Sequence, residues 1–182
     1  MPEPSRSPPP GLVLRPASVP DALCLSVLAT QVFLDTYATR GIRPAIAREV
    51  SSAYAEPAFA RAIADDRTRL CVAELDGHLI GFAQVTVGAT QERVPGDAPS
   101  ELLRLYVQEP FTGKQVGTRL LAEAERLAAA AGSQVLWLTP WVHNHRALAF
   151  YARRGYEDLG RTWFTFEGES HENRVYAKAL LP

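Results

Sequence analysis

The residues of this 182-residue chain best suited to chemistry by type and spacing lie in Leu102–Gly117, read LLRLYVQEPFTGKQVG. Leu102, Leu103, Leu105, Tyr106 and Val107 form a short apolar run of the kind that suits a buried strand. A loop with Pro110 and Gly113 follows and leads to Gly117; Val116, Leu120, Leu121, Ala124, Leu127, Ala128 and Ala131 then recur along one helical face. Strand, small-residue loop and helix aim several backbone N–H groups and a positive dipole end at one spot. That spot favours an anion, such as a phosphate or pyrophosphate. Two glycines in a loop also serve as plain structural connection. Lys114 reads equally as added charge for the anion and as a solvated loop lysine.

A second pattern lies downstream, in WVHNHRALAFYARRGY from Trp141 to Tyr156. Here the chain resembles the GNAT superfamily of acyl-CoA-dependent N-acyltransferases. That family carries a strand, a Gln/Arg-x-x-Gly-x-Gly/Ala loop and a helix, followed by Asn-x-x-Ala-x-x-Phe-Tyr-x-x-x-Gly-Phe. Asn144, Ala147, Phe150, Tyr151 and Gly155 match the second motif, with Tyr156 in place of Phe. The loop departs from the pattern. Thr112 stands at the Gln/Arg position and Gln115 at the first Gly, so only Gly117 keeps the family glycine. The resemblance covers roughly Leu70 to Leu181, and the run Phe33, Thr36, Tyr37 looks like the polyamine-acetyltransferase branch.

The resemblance implies acetyl-CoA as co-substrate, no metal, and a small-molecule or peptide amine as acceptor, attacked directly in a ternary complex. Leu105, Tyr106 and Val107 would pair with the pantetheine arm. Thr112, Gly113, Lys114, Gln115, Val116, Gly117 and Thr118 would hold the pyrophosphate, and Asn144 would cap a helix and touch CoA. Gln115 carries a Cβ where the family has none, which restricts the backbone there. Tyr151 matches the tyrosine that protonates the departing thiolate; a phenol and a thiol have similar pKa values, so the transfer is nearly balanced. Its other reading is an aromatic that packs helix on sheet. Glu101 matches a position where relatives carry a carboxylate acting as base through water, and it reads equally as a strand-end charge. His143 and His145 are held in reserve for that role. Phe33 and Tyr37 would line the acceptor side or plug the core. A CoA-binding sensor without turnover is the alternative function. A dinucleotide-binding protein is disfavoured, because no Gly-x-Gly-x-x-Gly follows the first strand.

These groups must be positioned by the rest of the chain. Gly11–Arg15 reads as a strand halted by Pro16, and a helix begins near Val19 or Pro20 and runs toward Gly41. Two short helices, Pro44–Tyr54 and Pro57–Ala64, start on prolines. Arg69–Leu75 and Leu79–Val87 read as strands joined by an Asp76-Gly77 hairpin turn, and Gly81 marks a close backbone approach. Gln91–Ser100 is a loop, Gln134–Thr139 a strand, and Arg146–Arg154 a helix capped by Asn144. Tyr156–Phe166 and Arg174–Leu180 are the last strands, separated by polar Glu167–Asn173. The expected fold is α/β (α+β), a single mixed and mostly antiparallel sheet of about six to seven strands with helices on both faces.

Composition sets the outer limits. Apolar residues at 47% and charged residues at 21% are ordinary globular values, and residues 11–182 suffice for one domain. Residues 1–10 are proline-rich and are expected to be disordered. A net charge of −1 gives no support for nucleic-acid or anionic-membrane binding. Cys24 and Cys71 sit singly in apolar runs and read as buried thiols of a reducing compartment. No apolar run approaches the length of a membrane span and no signal-peptide layout opens the chain, so a cytoplasmic location is expected. A homodimer stays open.

Overall fold

The structure, a computed structural model, describes residues 7–166 and 168–180. Within them lie β1 (Val13–Pro16), α1 (Ala22–Tyr37), α2 (Pro44–Ala53), α3 (Glu56–Ala64), β2 (Thr68–Leu75) and β3 (His78–Val87). Then follow β4 (Pro99–Val107), α4 (Val116–Ala130), β5 (Val135–Leu138), α5 (His145–Ala152), β6 (Glu157–Phe166) and β7 (Glu169–Ala179). The strands form one seven-stranded sheet in the order β1-β2-β3-β4-β5-β7-β6. It is mixed: β4 and β5 run parallel, while β1/β2, β5/β7 and β6/β7 are antiparallel. A parallel pair needs a long crossover, and α4 supplies it. The chain forms two compact units, Met1–Gln84 with Arg104–Ala124, and Val85–Leu103 with Glu125–Pro182. Of the segment expected to be disordered, residues 1–6 lie outside the described residues; Leu12 N–H donates to the Pro9 carbonyl at 3.2 Å.

The first unit is built on large apolar side chains that alternate or recur at helical spacing. Leu25, Leu28 and Ala29 of α1, Phe59 of α3, Val72 of β2 and Phe82 of β3 are buried together, with Phe59 and Phe82 edge to face at 5.7 Å. Each such ring removed from water contributes about 1.5–3 kcal/mol. Asp76 and Gly77 take φ of 50° and 79°, the left-handed pair that a two-residue hairpin needs. β1 starts at Val13 rather than Gly11 and ends at Pro16, which is its last residue and pairs with Cys71; β1 is the outermost strand of the order, where a residue without N–H is tolerated. Cys71 is buried as expected, but Cys24 is exposed, since the core-facing residues of α1 are Ala22, Leu25, Leu28 and Ala29. Val19–Tyr37, at 19 residues and mean hydropathy 1.2, does reach the length and composition of a membrane span, contrary to the sequence reading. Its apolar residues at the helix core positions are used by Phe59, Val72 and Phe82.

The second unit packs Val94, Trp137, Val175 and Ala177. Trp137 Nε1 donates to the Ala89 carbonyl at 2.8 Å, so the connection before β4 is tied down at both Ala89 and Val94. β4 begins at Pro99, earlier than the expected loop allowed. The β6/β7 ladder runs from Glu157↔Ala177 to Phe166↔Glu169. Most of the segment expected as a polar connection is therefore strand. Its residues Glu169–Asn173 lack apolar alternation because they pair at the far end of a hairpin where side chains stay exposed or half-buried.

Candidate active site

The strand–loop–helix stretch adopts the order its sequence suggests. β4 pairs with β5 through Pro99, Ser100 and Glu101, then continues to Val107. Leu105, Tyr106 and Val107 on that continuation are half-buried. The strand is pressed against β3 at Gly81, where a Cβ would stand 2.7 Å from the Tyr106 carbonyl oxygen and 3.1 Å from Leu120 Cδ1. Only glycine permits that approach. Gln108 N–H donates to the Ile80 carbonyl at 3.0 Å, after which the chain turns through a 3-10 segment, Glu109–Phe111.

Thr112 Oγ1 donates to the Glu109 carbonyl at 2.8 Å, which fixes the start of the loop. Gly113 and Gln115 both take left-handed φ, 71° and 60°. The turn thus holds a residue with a Cβ in the left-handed region, and Gln115 is exposed. Arg119 N–H donates to the Gln115 carbonyl at 3.0 Å, so the N–H groups of Val116, Gly117 and Thr118 form the first turn of α4. A helix supplies no acceptor for these from within, and its dipole is positive there. Lys114 is exposed, with Nζ 5.7 Å from the centre of the Phe111 ring. Thr112 to Thr118 are therefore brought together as a contiguous anion-suited turn.

Beside the other face of β4, the first unit holds a cluster that the sequence reading only half found. Phe33 packs on Tyr37 at 5.0 Å and on Tyr54 at 4.7 Å. Tyr54 and Tyr106 stack at 6.4 Å, and their hydroxyls hydrogen-bond at 2.9 Å. Desolvation among these rings drives the Tyr106 hydroxyl well above its ordinary pKa, and the neighbouring Tyr54 and Tyr37 push it the same way. The Arg104 guanidinium lies 4.9 Å from the Tyr54 ring centre and 5.6 Å from that of Phe59. Its Nη1 donates to Gln84 Oε1 at 2.8 Å, and Gln84 is itself buried. Sequence reasoning passed over Arg104, Tyr54 and Gln84. The available signals were a charge inside the apolar run of β4 and a glutamine inside the apolar run of β3.

The second unit places the remaining candidates. Asn144 caps α5: its Oδ1 accepts from Ala147 N–H at 3.1 Å. Gly155, with φ of 82°, ends the helix that Asn144 starts. Tyr151 is buried on α5 between Phe150 and Tyr156, at ring separations of 5.2 and 5.6 Å. Tyr156 donates to Glu125 Oε1 at 3.1 Å, and burial raises its hydroxyl pKa far above normal. Tyr151 is thus held by rings on two sides. Glu101 is half-buried and in register with Trp137. His143 and His145 are exposed, with His143 edge-on to Trp141 at 5.0 Å. Among the described residues no group of three or more His, Cys, Asp or Glu is placed to hold a metal ion.

Comparison with known proteins bears on this geometry. A family model described as the Acetyltransferase (GNAT) family matches residues 36–156. An uncharacterised N-acetyltransferase of Mycobacterium bovis is 30% identical over 135 residues, 71% of this chain and 81% of that protein. A spermidine N(1)-acetyltransferase of Thermoplasma acidophilum is 27% identical over 162 residues, 85% of this chain and 94% of that one. The crystal structure of PaiA N-acetyltransferase from Thermoplasma acidophilum in complex with coenzyme A superposes with a TM-score of 0.71 at 23% identity, covering 92% of this chain and 98% of that one.

Proposed function

Since the chain belongs to the GNAT acetyltransferase family, we propose that it carries the acetyl group of acetyl-CoA to a primary amine by direct attack in a ternary complex. The observation that carries this reading is the β4–α4 turn, in which left-handed Gly113 and Gln115 present the first N–H groups of α4. Such a turn suits a pyrophosphate. The complex of the PaiA structure with coenzyme A supports the same ligand. Leu105, Tyr106 and Val107 supply strand backbone for the amide groups of the pantetheine arm, and Lys114 adds positive charge beside the turn.

In the reaction the amine nitrogen attacks the thioester carbonyl, forming the C–N bond of the amide. The C–S bond breaks, and the sulfur leaves with its electron pair. We assign the proton that neutralises the thiolate to the Tyr151 hydroxyl, and the proton lost by the amine to Glu101 through water. Phenol and thiol differ by only about 1.5 pKa units, so the first transfer costs little. The ring contacts of Tyr151 with Phe150 and Tyr156 fix its direction. The spermidine acetyltransferase relative and the Phe33–Tyr37 aromatics support an acceptor of small amine type. Asn144 holds the start of α5 and adds a contact to CoA.

Thermal unfolding with saturating CoA, NADH or ATP tests the ligand assignment. Ligand at a hundredfold over its Kd adds about 2.7 kcal/mol of apparent stability. CoA alone is expected to raise Tm, and Gly117→Phe is expected to abolish the rise while the chain still unfolds cooperatively. A Tm unmoved by CoA contradicts the proposal.

A further inference from the structure

Arg104 is placed as a ligand-binding cation would be. It sits on β4, one residue before the strand segment Leu105–Val107 assigned to the pantetheine arm, and it is half-buried. Charged residues are rarely buried in strands without a partner of opposite sign. Among the described residues its contacts are the Gln84 side-chain oxygen at 2.8 Å, the Ala53 carbonyl at 3.5 Å and the faces of Tyr54 and Phe59. No carboxylate is among them. Two of its five N–H donors are used, one of them at long range, and the fork geometry that matches a carboxylate is still available.

The surroundings hold the guanidinium rather than neutralise it. Gln84 is only 4% exposed and its side-chain oxygen accepts from Nη1 at 2.8 Å. The Tyr54 ring is fixed in turn by stacking on Phe33 and by its hydrogen bond to Tyr106. A side chain with this much rotamer freedom is costly to order, and a purely apolar plug would fill the same space more favourably. A preorganised cation beside the acyl-transfer strand repels a polyamine and attracts an anion.

We infer that the acceptor is an amine that also bears a carboxylate, of amino-acid type, and that Arg104 is the residue that selects it. This rests on the acyl transfer proposed above and names the substrate class of that site. The strand rises roughly 3.3 Å per residue, so Arg104 and the Leu105–Val107 backbone lie roughly 3–10 Å apart along β4. That interval suits a carboxylate held at Arg104 while an amine a few bonds away reaches the thioester. Half-buried Phe33 and exposed Tyr37, packed on each other, offer an aromatic wall for the side chain of such an acceptor.

The test uses matched pairs that differ only by the carboxylate: lysine against cadaverine, tyrosine against tyramine, phenylalanine against phenethylamine. Amine-dependent thiol release from acetyl-CoA should favour the carboxylated member by roughly ten- to hundredfold in kcat/KM, as a charge-assisted pair gives. Arg104→Gln should collapse that ratio toward one, and Arg104→Lys should keep part of it because the charge remains without the fork. The CoA-induced Tm shift should persist in both variants, which separates a failed acceptor from a failed fold or CoA site. A second readout needs no turnover: with CoA bound, tyrosine or lysine should raise Tm further and tyramine or cadaverine should not. Equal handling of the pairs in both readouts, a preference for the decarboxylated amines, or a ratio unchanged in Arg104→Gln overturns the inference. Loss of the CoA shift in the wild-type chain would instead strike the acyl-transfer reading beneath it.

Discussion

The hydroxyl oxygens of Tyr54 and Tyr106 lie 2.9 Å apart, and the two rings are within 9° of parallel. One residue follows α2 and the other lies on β4, so the pair ties the helical segment of its unit to the strand assigned to CoA. A hydroxyl left in this desolvated cluster without its partner loses a hydrogen bond it cannot replace with water. Tyr54→Phe and Tyr106→Phe should each cost about 1–2 kcal/mol in urea unfolding. The double substitution should cost clearly less than the two together, because the second removal leaves nothing unpaired. Strictly additive costs would mean that the hydroxyl pair contributes no coupling.

Gln115, which stands at a glycine position of the pattern the chain resembles, holds φ of 60°. A left-handed residue with a Cβ is strained by roughly 1–2 kcal/mol, and glycine recovers part of that while adding unfolded-state freedom. Gln115→Gly should therefore raise stability by up to about 1 kcal/mol and leave the CoA-induced Tm shift intact. A destabilised variant would show that the glutamine side chain makes a contribution larger than its backbone strain.

Arg15 holds β1, the start of the helical segment and β2 together. It donates to Asp21 at 2.8 and 2.9 Å and to Glu74 at 2.9 Å. The Arg15 hydrogen bonds, helped by Ser18, hold the Asp21 carboxyl well below the usual carboxylate range. A carboxyl whose folded pKa is depressed stabilises the fold above its unfolded value, near 3.9, and loses that contribution as pH falls toward the folded value. Asp21→Asn should thus be less stable than wild type at pH 7, and the gap should narrow below about pH 4. A gap of constant size between pH 7 and pH 3 would contradict the assignment.

Much of this was legible in the sequence because it is local. The Asp76-Gly77 turn, the Asn144 cap, the Gly81 approach and the β4–loop–α4 order all follow from residue types at short spacing. Element ends shifted where chain position decided the outcome: Pro16 is tolerated because β1 ends the strand order, and Glu169–Asn173 become strand because β6 offers them a ladder. Cys24 was misjudged because its apolar neighbours do not reveal which side of α1 faces inward. The cluster of Arg104, Gln84 and Tyr54 joins residues from β4, β3 and the end of α2. No spacing rule links such positions, and only the folded chain brings them together.

Acyl transfer itself is tested most directly by thiol release from acetyl-CoA with and without amine, in wild type, Tyr151→Phe and Tyr151→Ala. Wild type should release one thiol for each N-acetylated amine formed, and none beyond background without amine. Tyr151→Phe keeps the ring that packs on Phe150 and Tyr156, so its Tm should hold while turnover falls roughly a hundredfold, the range for losing a positioned general acid. Tyr151→Ala should lose both, through an unfilled cavity. Full turnover in Tyr151→Phe would remove that residue from the chemistry, and thiol release by wild type that does not depend on amine would contradict the acetyl transfer.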